Sequence, residues 1–264
     1  MRPLSRPVRI TLLTVAVLCY VATWLWLVLS QPSDSDYSSP ADSTSTAIAL
    51  VGFLVPTVLA LVAVIPTLPV RTLTLIPVAL VLNIVVGQVV GTMGLPLPLY
   101  LDSFGTVLVA VLAGPAAGMA TGGLSSIVWG AFNPTIIPFA AGYALMGLGV
   151  GLIRHLWKTT WWKVALAGLV LGFLSGLVSA PVANFIFGGT AGTGTGLLVS
   201  GYESLGVSNT TAVFLQSWTS DPIDKVIIFL AVFAVYRALP LRTRRTFEPD
   251  TTTDTETDTA TVTA

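Results

Sequence analysis

Asp221, Asp224 and Lys225, in the segment Asp221-Pro-Ile-Asp-Lys225, form the tightest group of ionisable side chains in an otherwise apolar stretch of this sequence. Carboxyls three residues apart share one face of a helix, the arrangement that paired acid-base chemistry would need. At the start of a helix the same residues cap free N–H groups and complement the macrodipole, with Lys225 as a neutralising partner. The rest of the chain favours that second reading. His155 is the only histidine and sits in the basic run Arg154-His-Leu-Trp-Lys158, so a histidine metal cluster, a Ser-His dyad in the outer half and H-E-x-x-H are all missing. There is no Walker A loop, and the single Cys19 has no partner in the chain. The sequence therefore reads as that of a non-enzyme, with no cofactor and no metal site, and nothing in it resembles a nucleic-acid-binding face.

The remaining polar residues point to binding. From residue 72 onward the apolar part holds Asn83, Gln88, Asp102, Ser103, Thr106, Asn133, Thr135, Asn184, Glu203, Gln216, Asp221 and Asp224, most of them near predicted outer ends. A polar side chain in hydrocarbon is costly unless paired, so such residues mark functional sites or helix-helix hydrogen bonds. Tyr100, Trp129, Phe132, Tyr202 and Trp218 fall at the same boundary, and aromatic faces with a few oriented polar groups suit a flat ligand. The candidate substrate-binding residues are Tyr100, Asp102, Trp129, Asn133, Asn184, Gln216, Trp218 and Asp221.

The elements that position them follow from composition. The chain is 54% hydrophobic and 9% charged, against about 25% charged in soluble domains, and its mean hydropathy is +0.86. That predicts an all-α, polytopic membrane helical bundle. Apolar runs predict eight spans near residues 10–30, 46–68, 72–92, 101–113, 115–131, 136–153, 164–187 and 224–239. The fourth and fifth meet at Gly114-Pro115 as a helical hairpin. With both termini cytoplasmic, Arg2, Arg6, Arg9, Arg71, Arg154, Lys158, Lys163, Arg237, Arg242, Arg244 and Arg245 fall inside and only Lys225 does not, which fits a multi-pass protein of the cell membrane.

Small residues recur every four positions at Ala79, Asn83, Gly87 and Gly91, and at Gly114, Gly118 and Gly122, giving faces for close helix packing within the chain or against another subunit. The greasy loop from Gly94 to Asp102 reads as a lid, and the segment from Gly188 to Ser220 as a second cover or a re-entrant stretch. Residues 31–46 read as a solvated linker and 241–264 as a tail whose Thr/Asp tract does not fold.

The six-span core, the segment Leu99-Tyr-Leu-Asp-Ser-Phe-Gly-Thr106 leading to Gly114-Pro115, then Trp129-Gly-Ala-Phe-Asn-Pro-Thr135 and finally Asp221-Pro-Ile-Asp-Lys225 together resemble the substrate-binding S component of an energy-coupling factor (ECF) type vitamin transporter. The resemblance implies a six-helix S-component-like core at 70–240 plus two extra N-terminal transmembrane helices in 1–69. It also implies capture of a vitamin or vitamin precursor at the extracellular side for ATP-driven uptake. The partners it implies are the lipid bilayer, an ECF membrane coupling subunit docked on Ala79, Asn83 and Gly87, and two cytosolic ATPase subunits. The alternatives are a secondary transporter of a small organic solute and a membrane sensor module.

Overall fold

The computed structural model describes residues 4–30, 43–95, 97–189 and 193–247. Most of the expected outer linker and the Thr/Asp tract from residue 248 lie outside them. Among the described residues there are ten α-helices and no strand: α1 (Arg6–Leu29), α2 (Ser43–Val64), α3 (Val70–Thr92), α4 (Phe104–Ala113), α5 (Pro115–Gly130), α6 (Ala140–Leu152), α7 (Trp161–Phe187), α8 (Thr193–Ser204), α9 (Asn209–Ala238) and α10 (Leu241–Phe247). A 3-10 turn, Pro134–Phe139, leads into α6. Helix is the required solution in an apolar medium, because it satisfies the backbone within the segment.

Among the described residues five helical segments are long and apolar enough to cross a membrane: Arg6–Leu29, Thr46–Thr67, Val70–Thr92, Pro134–Leu152 and Trp161–Phe187. They fit a multi-pass membrane protein. Large apolar side chains such as Val17, Leu18, Val51, Val78, Val81, Leu166 and Leu174 are exposed along their outer faces, an arrangement suited to lipid and not to water. Three of the eight predicted spans fall outside these five for clear reasons. Helices α4 and α5 have only 10 and 16 residues, and α9, with 30, carries Asp221, Asp224 and Lys225 in its middle.

Two antiparallel pairs carry the packing, and in both glycine removes the side chain that would keep the backbones apart. In α7, Gly168, Gly172 and Gly176 follow one another down α9: a Cβ at Gly168 would stand 3.0 Å from the Lys225 carbonyl oxygen, one at Gly172 would press into Pro222, and one at Gly176 would stand 2.9 Å from Trp218. In α5, Gly118 and Gly122 lie against the α6 backbone at Gly147 and Tyr143. Close approach of this kind drives association where lipid supplies no hydrophobic force. Gly114, at φ +92°, ends α4, and Pro115 starts α5 in the position where its missing N–H costs nothing, so the predicted hairpin turns on a single residue.

Two expectations are corrected and a third is made specific. The last helix begins at Asn209 behind the Ser208 cap, not near residue 224, so Asp221 and Asp224 lie mid-helix and buried; they cap nothing. The segment 188–220, expected as a cover or a re-entrant stretch, holds α8, which packs Val199 against Ala180, Ala212 and Val213, while Gly189 and Thr195 line the cavity described below. Finally, Ala79, Asn83 and Gly87 are buried inside the bundle and offer no face to a coupling subunit. Gly105 sits on the Ala79 backbone, and a Cβ at Gly87 would fall 2.6 Å from the Trp129 ring.

The lower part of the bundle is solid. Val107, Val111, Val150, Trp157, Val164, Ile228, Phe229 and Val232 form one buried cluster contributed by α4, α6, α7, α9 and the turn before α7. Trp157 and Phe229 meet with ring centroids 5.1 Å apart. Beyond this cluster Arg154, His155, Lys158, Tyr236 and Arg244 gather at one end of the bundle.

Candidate ligand-binding site

At the other end, a cavity of about 440 Å³ opens between α1, α2, the loop before α4, α5, α6, α7 and α9. Three helices fix its separation from the basic end. Ser103 and Leu112 at opposite ends of α4, Tyr143 and Arg154 on either side of the α6 C-terminus, and Asp221 and Tyr236 in α9 divide between the two. Fifteen residues of α9 correspond to roughly 22 Å at 1.5 Å per residue.

The loop leading to α4 is pinned by Asp224. Its Oδ1 accepts the backbone N–H groups of Tyr100 at 2.9 Å and Leu101 at 2.8 Å, and its Oδ2 accepts from Lys225 Nζ at 2.6 Å. Two successive N–H groups converge on one oxygen because Leu101 has φ +48°, a left-handed conformation uncommon for a residue with a Cβ. That strain is held in place by a fully buried carboxylate with three donors. The segment expected to be a lid is thus tied to the middle of α9, with Tyr100, Asp102 and Ser103 in the cavity wall. Burial, then the Asp221, Asp102 and Asp224 charges, push the Tyr100 phenol above its ordinary range, keeping it a neutral hydrogen-bonding ring.

Asp102 accepts from the Tyr143 hydroxyl. Among the described residues Asp221 accepts only a long bond from Ser179, at 3.3 Å. The first turn of α4 is capped from outside its own sequence. Asn83 in α3, fully buried, accepts on Oδ1 from Gly105 N at 2.6 Å and Thr106 N at 3.3 Å, and its Nδ2 donates to Thr106 Oγ1 at 2.8 Å and Ser125 Oγ at 2.9 Å. All four hydrogen-bonding positions of the amide are in use. Ser103 occupies the N-cap position of α4 yet makes no capping bond, and its buried Oγ has no partner among the described residues.

Of the residues singled out in the sequence, Tyr100, Asp102, Trp129, Gln216 and Asp221 line the cavity; Asn133, Asn184 and Trp218 do not. Asn133 caps the turn Pro134–Phe139 by accepting from Thr135. Asn184 donates to Thr210, tying α7 to the start of α9. Trp218 points outward and meets Phe173 and Phe214 edge-on. Sequence reasoning missed Tyr143, Ser179 and Lys225 as wall residues, and also Tyr20 and Phe53 from the two N-terminal helices. The Trp24 indole N–H donates to the Val178 carbonyl at 3.2 Å, holding α1 on α7. Mid-span tyrosine in α1 was the available signal.

The chain matches no protein-family model, and no curated protein or solved structure resembles it at a significant level.

Proposed function

We propose that this chain is the membrane substrate-binding (S) component of an ECF-type importer, capturing a vitamin or vitamin precursor at the extracellular side for ATP-driven uptake. The observation that carries the reading is a ligand-sized cavity with aromatic and carboxyl walls, set at the end of the bundle opposite its basic residues. Basic ends face the cytoplasm, so the cavity belongs to the outer half and both termini to the cytoplasm. In this reading α3, α4, α5, α6, α7 and α9 form the six-helix core, α8 covers its outer end, and α1 and α2 are the two extra helices. The chain binds and its partners hydrolyse ATP: a membrane coupling subunit and two cytosolic ATPases. The coupling subunit docks elsewhere than on the buried Ala79, Asn83 and Gly87 face.

Mass spectrometry of the small molecule retained by gently purified protein, with thermal shifts across a vitamin panel, tests this. A retained vitamin-like compound that also stabilises the emptied protein is the expected result. An empty site with no shift across the panel refutes it.

A second reading, a secondary transporter of a small organic solute, gains from the position of Asp221, Asp224 and Lys225 in the middle of a 30-residue helix, since ion-coupled transporters place ionisable groups at such depth. Uptake into liposomes containing this chain alone, driven by an ion gradient, would favour it; dependence on ATP and the partner subunits would favour the first.

A further inference from the structure

We propose that the occupant of this cavity is a flat organic cation whose charge is held against Asp221, an assignment that rests on the capture reading above. The argument begins with charge. Asp102 and Asp221 line the cavity and Asp224 lies directly behind it, whereas Lys225 is the one basic side chain in the wall among the described residues. That ammonium is already committed, 2.6 Å from Asp224 Oδ2. An anion entering here would meet carboxyls and no uncommitted cation. A cation would find carboxyls to pair with in walls that are mostly apolar, where an unmatched charge is most costly.

The three carboxyls are not equivalent. Asp224 has its three donors and Asp102 has Tyr143, which among the described residues leaves Asp221 with the single long hydrogen bond from Ser179. A buried carboxylate so poorly matched is the group that gains most from a charged partner. Ser103 adds an independent sign of a ligand: it is 1% exposed, lines the same cavity, and its hydroxyl has no partner among the described residues because Asn83 has taken over the capping of α4.

Shape selects the kind of cation. Tyr100, Trp129, Phe139 and Tyr143 contribute rings to the wall, and aromatic faces attract a flat, positively charged ring. The occupant is therefore organic, with its ring among the aromatics, its charge at Asp221 and an acceptor toward the Ser103 hydroxyl.

The test uses the full chain in nanodiscs with 1-methylnicotinamide (cation), nicotinamide (neutral) and nicotinate (anion), which share one ring size, and thiamine as a larger cation. Calorimetric and thermal-shift titrations are expected to show binding of the cations, at least tenfold weaker binding of nicotinamide and none of nicotinate. Asp221→Asn should weaken cation binding about 10- to 100-fold, as expected for losing a hydrogen bond to a charged group, while Asp221→Glu restores part of it. Ser179→Ala, which removes only the competing donor, should keep or raise the cation preference and serves where Asp221→Asn fails to elute as a single species. Equal or better binding of the neutral or anionic compound, or an unchanged preference in Asp221→Asn, overturns the charge assignment and leaves capture standing. Binding of none of the panel, cations included, overturns the charge assignment, and capture falls with it only if the purified protein also retains no small molecule by mass spectrometry.

Discussion

Replacing Asn83 by alanine should be among the most damaging single substitutions in this bundle, although the residue does not itself line the cavity. Four hydrogen bonds end on its amide. Interhelical hydrogen bonds in membrane bundles average about 0.6 kcal/mol, so their direct loss costs about 2.4 kcal/mol. The substitution also strands the Gly105 and Thr106 N–H groups in a dry interior, and a buried unsatisfied donor costs about 1–3 kcal/mol. The Ser103 hydroxyl lies at the N-cap position and can turn to relieve one of them. The expected total is about 3–5 kcal/mol. The single-bond control is Ser125→Ala, which removes one acceptor of the amide and strands one Asn83 N–H, so it should cost about 2–3 kcal/mol. Denaturation in mixed micelles, followed by tryptophan fluorescence, measures both. A cost for Asn83→Ala no larger than that for Ser125→Ala would refute the account of Asn83 as the cap of α4. Because relief draws on Ser103, the variant should also bind ligand more weakly than Ser125→Ala does.

Other substitutions separate packing, latch and wall. Gly172→Leu forces a side chain into the Pro222 backbone, so it should prise α7 from α9 and abolish monodisperse elution on size exclusion, whereas Gly91→Leu, with open space around it, should not. Asp224→Asn weakens the charge-assisted bonds to Tyr100 and Leu101; hydrogen exchange at those two amides should rise at least tenfold relative to the wild-type protein. Trp129→Ala should weaken ligand binding about tenfold or more, since the ring lies in the cavity wall, while Trp218→Ala, outside it, should change affinity less than twofold.

What could be read from the sequence depended on whether a signal was local. Gly114-Pro115 announced its turn because both residues act on their own backbone, and the turn lies where expected. The start of α9 was misplaced because Asn209 to Ser220 is rich in Ser, Thr and Gln and reads as a segment outside the membrane. It is helical because the Ser208 cap starts it and the glycines of α7 admit its backbone. Those glycines at 168, 172 and 176 were the overlooked sign. Asn83 lay on a small-residue face, and such a face is the same in sequence whether it packs inward or outward. Only the positions of Gly105 and Ser125 decide between them. Tyr20 and Phe53 enter the wall because α1 and α2 fold back onto the bundle, a tertiary event with no mark in the local sequence.

The Trp157-Phe229 cluster closes the bundle beneath the cavity. In terms of traffic, the molecule is a cup and not a tube: a solute that enters cannot leave through that floor. Widening a gate at the mouth alters how fast the cup fills and empties but never which side it empties toward. Delivery to the opposite side demands that the vessel itself be reoriented, or that its floor of interlocked rings come apart. An external machine that tips the whole body leaves that floor intact, whereas a transporter working alone would have to break and remake it on every cycle.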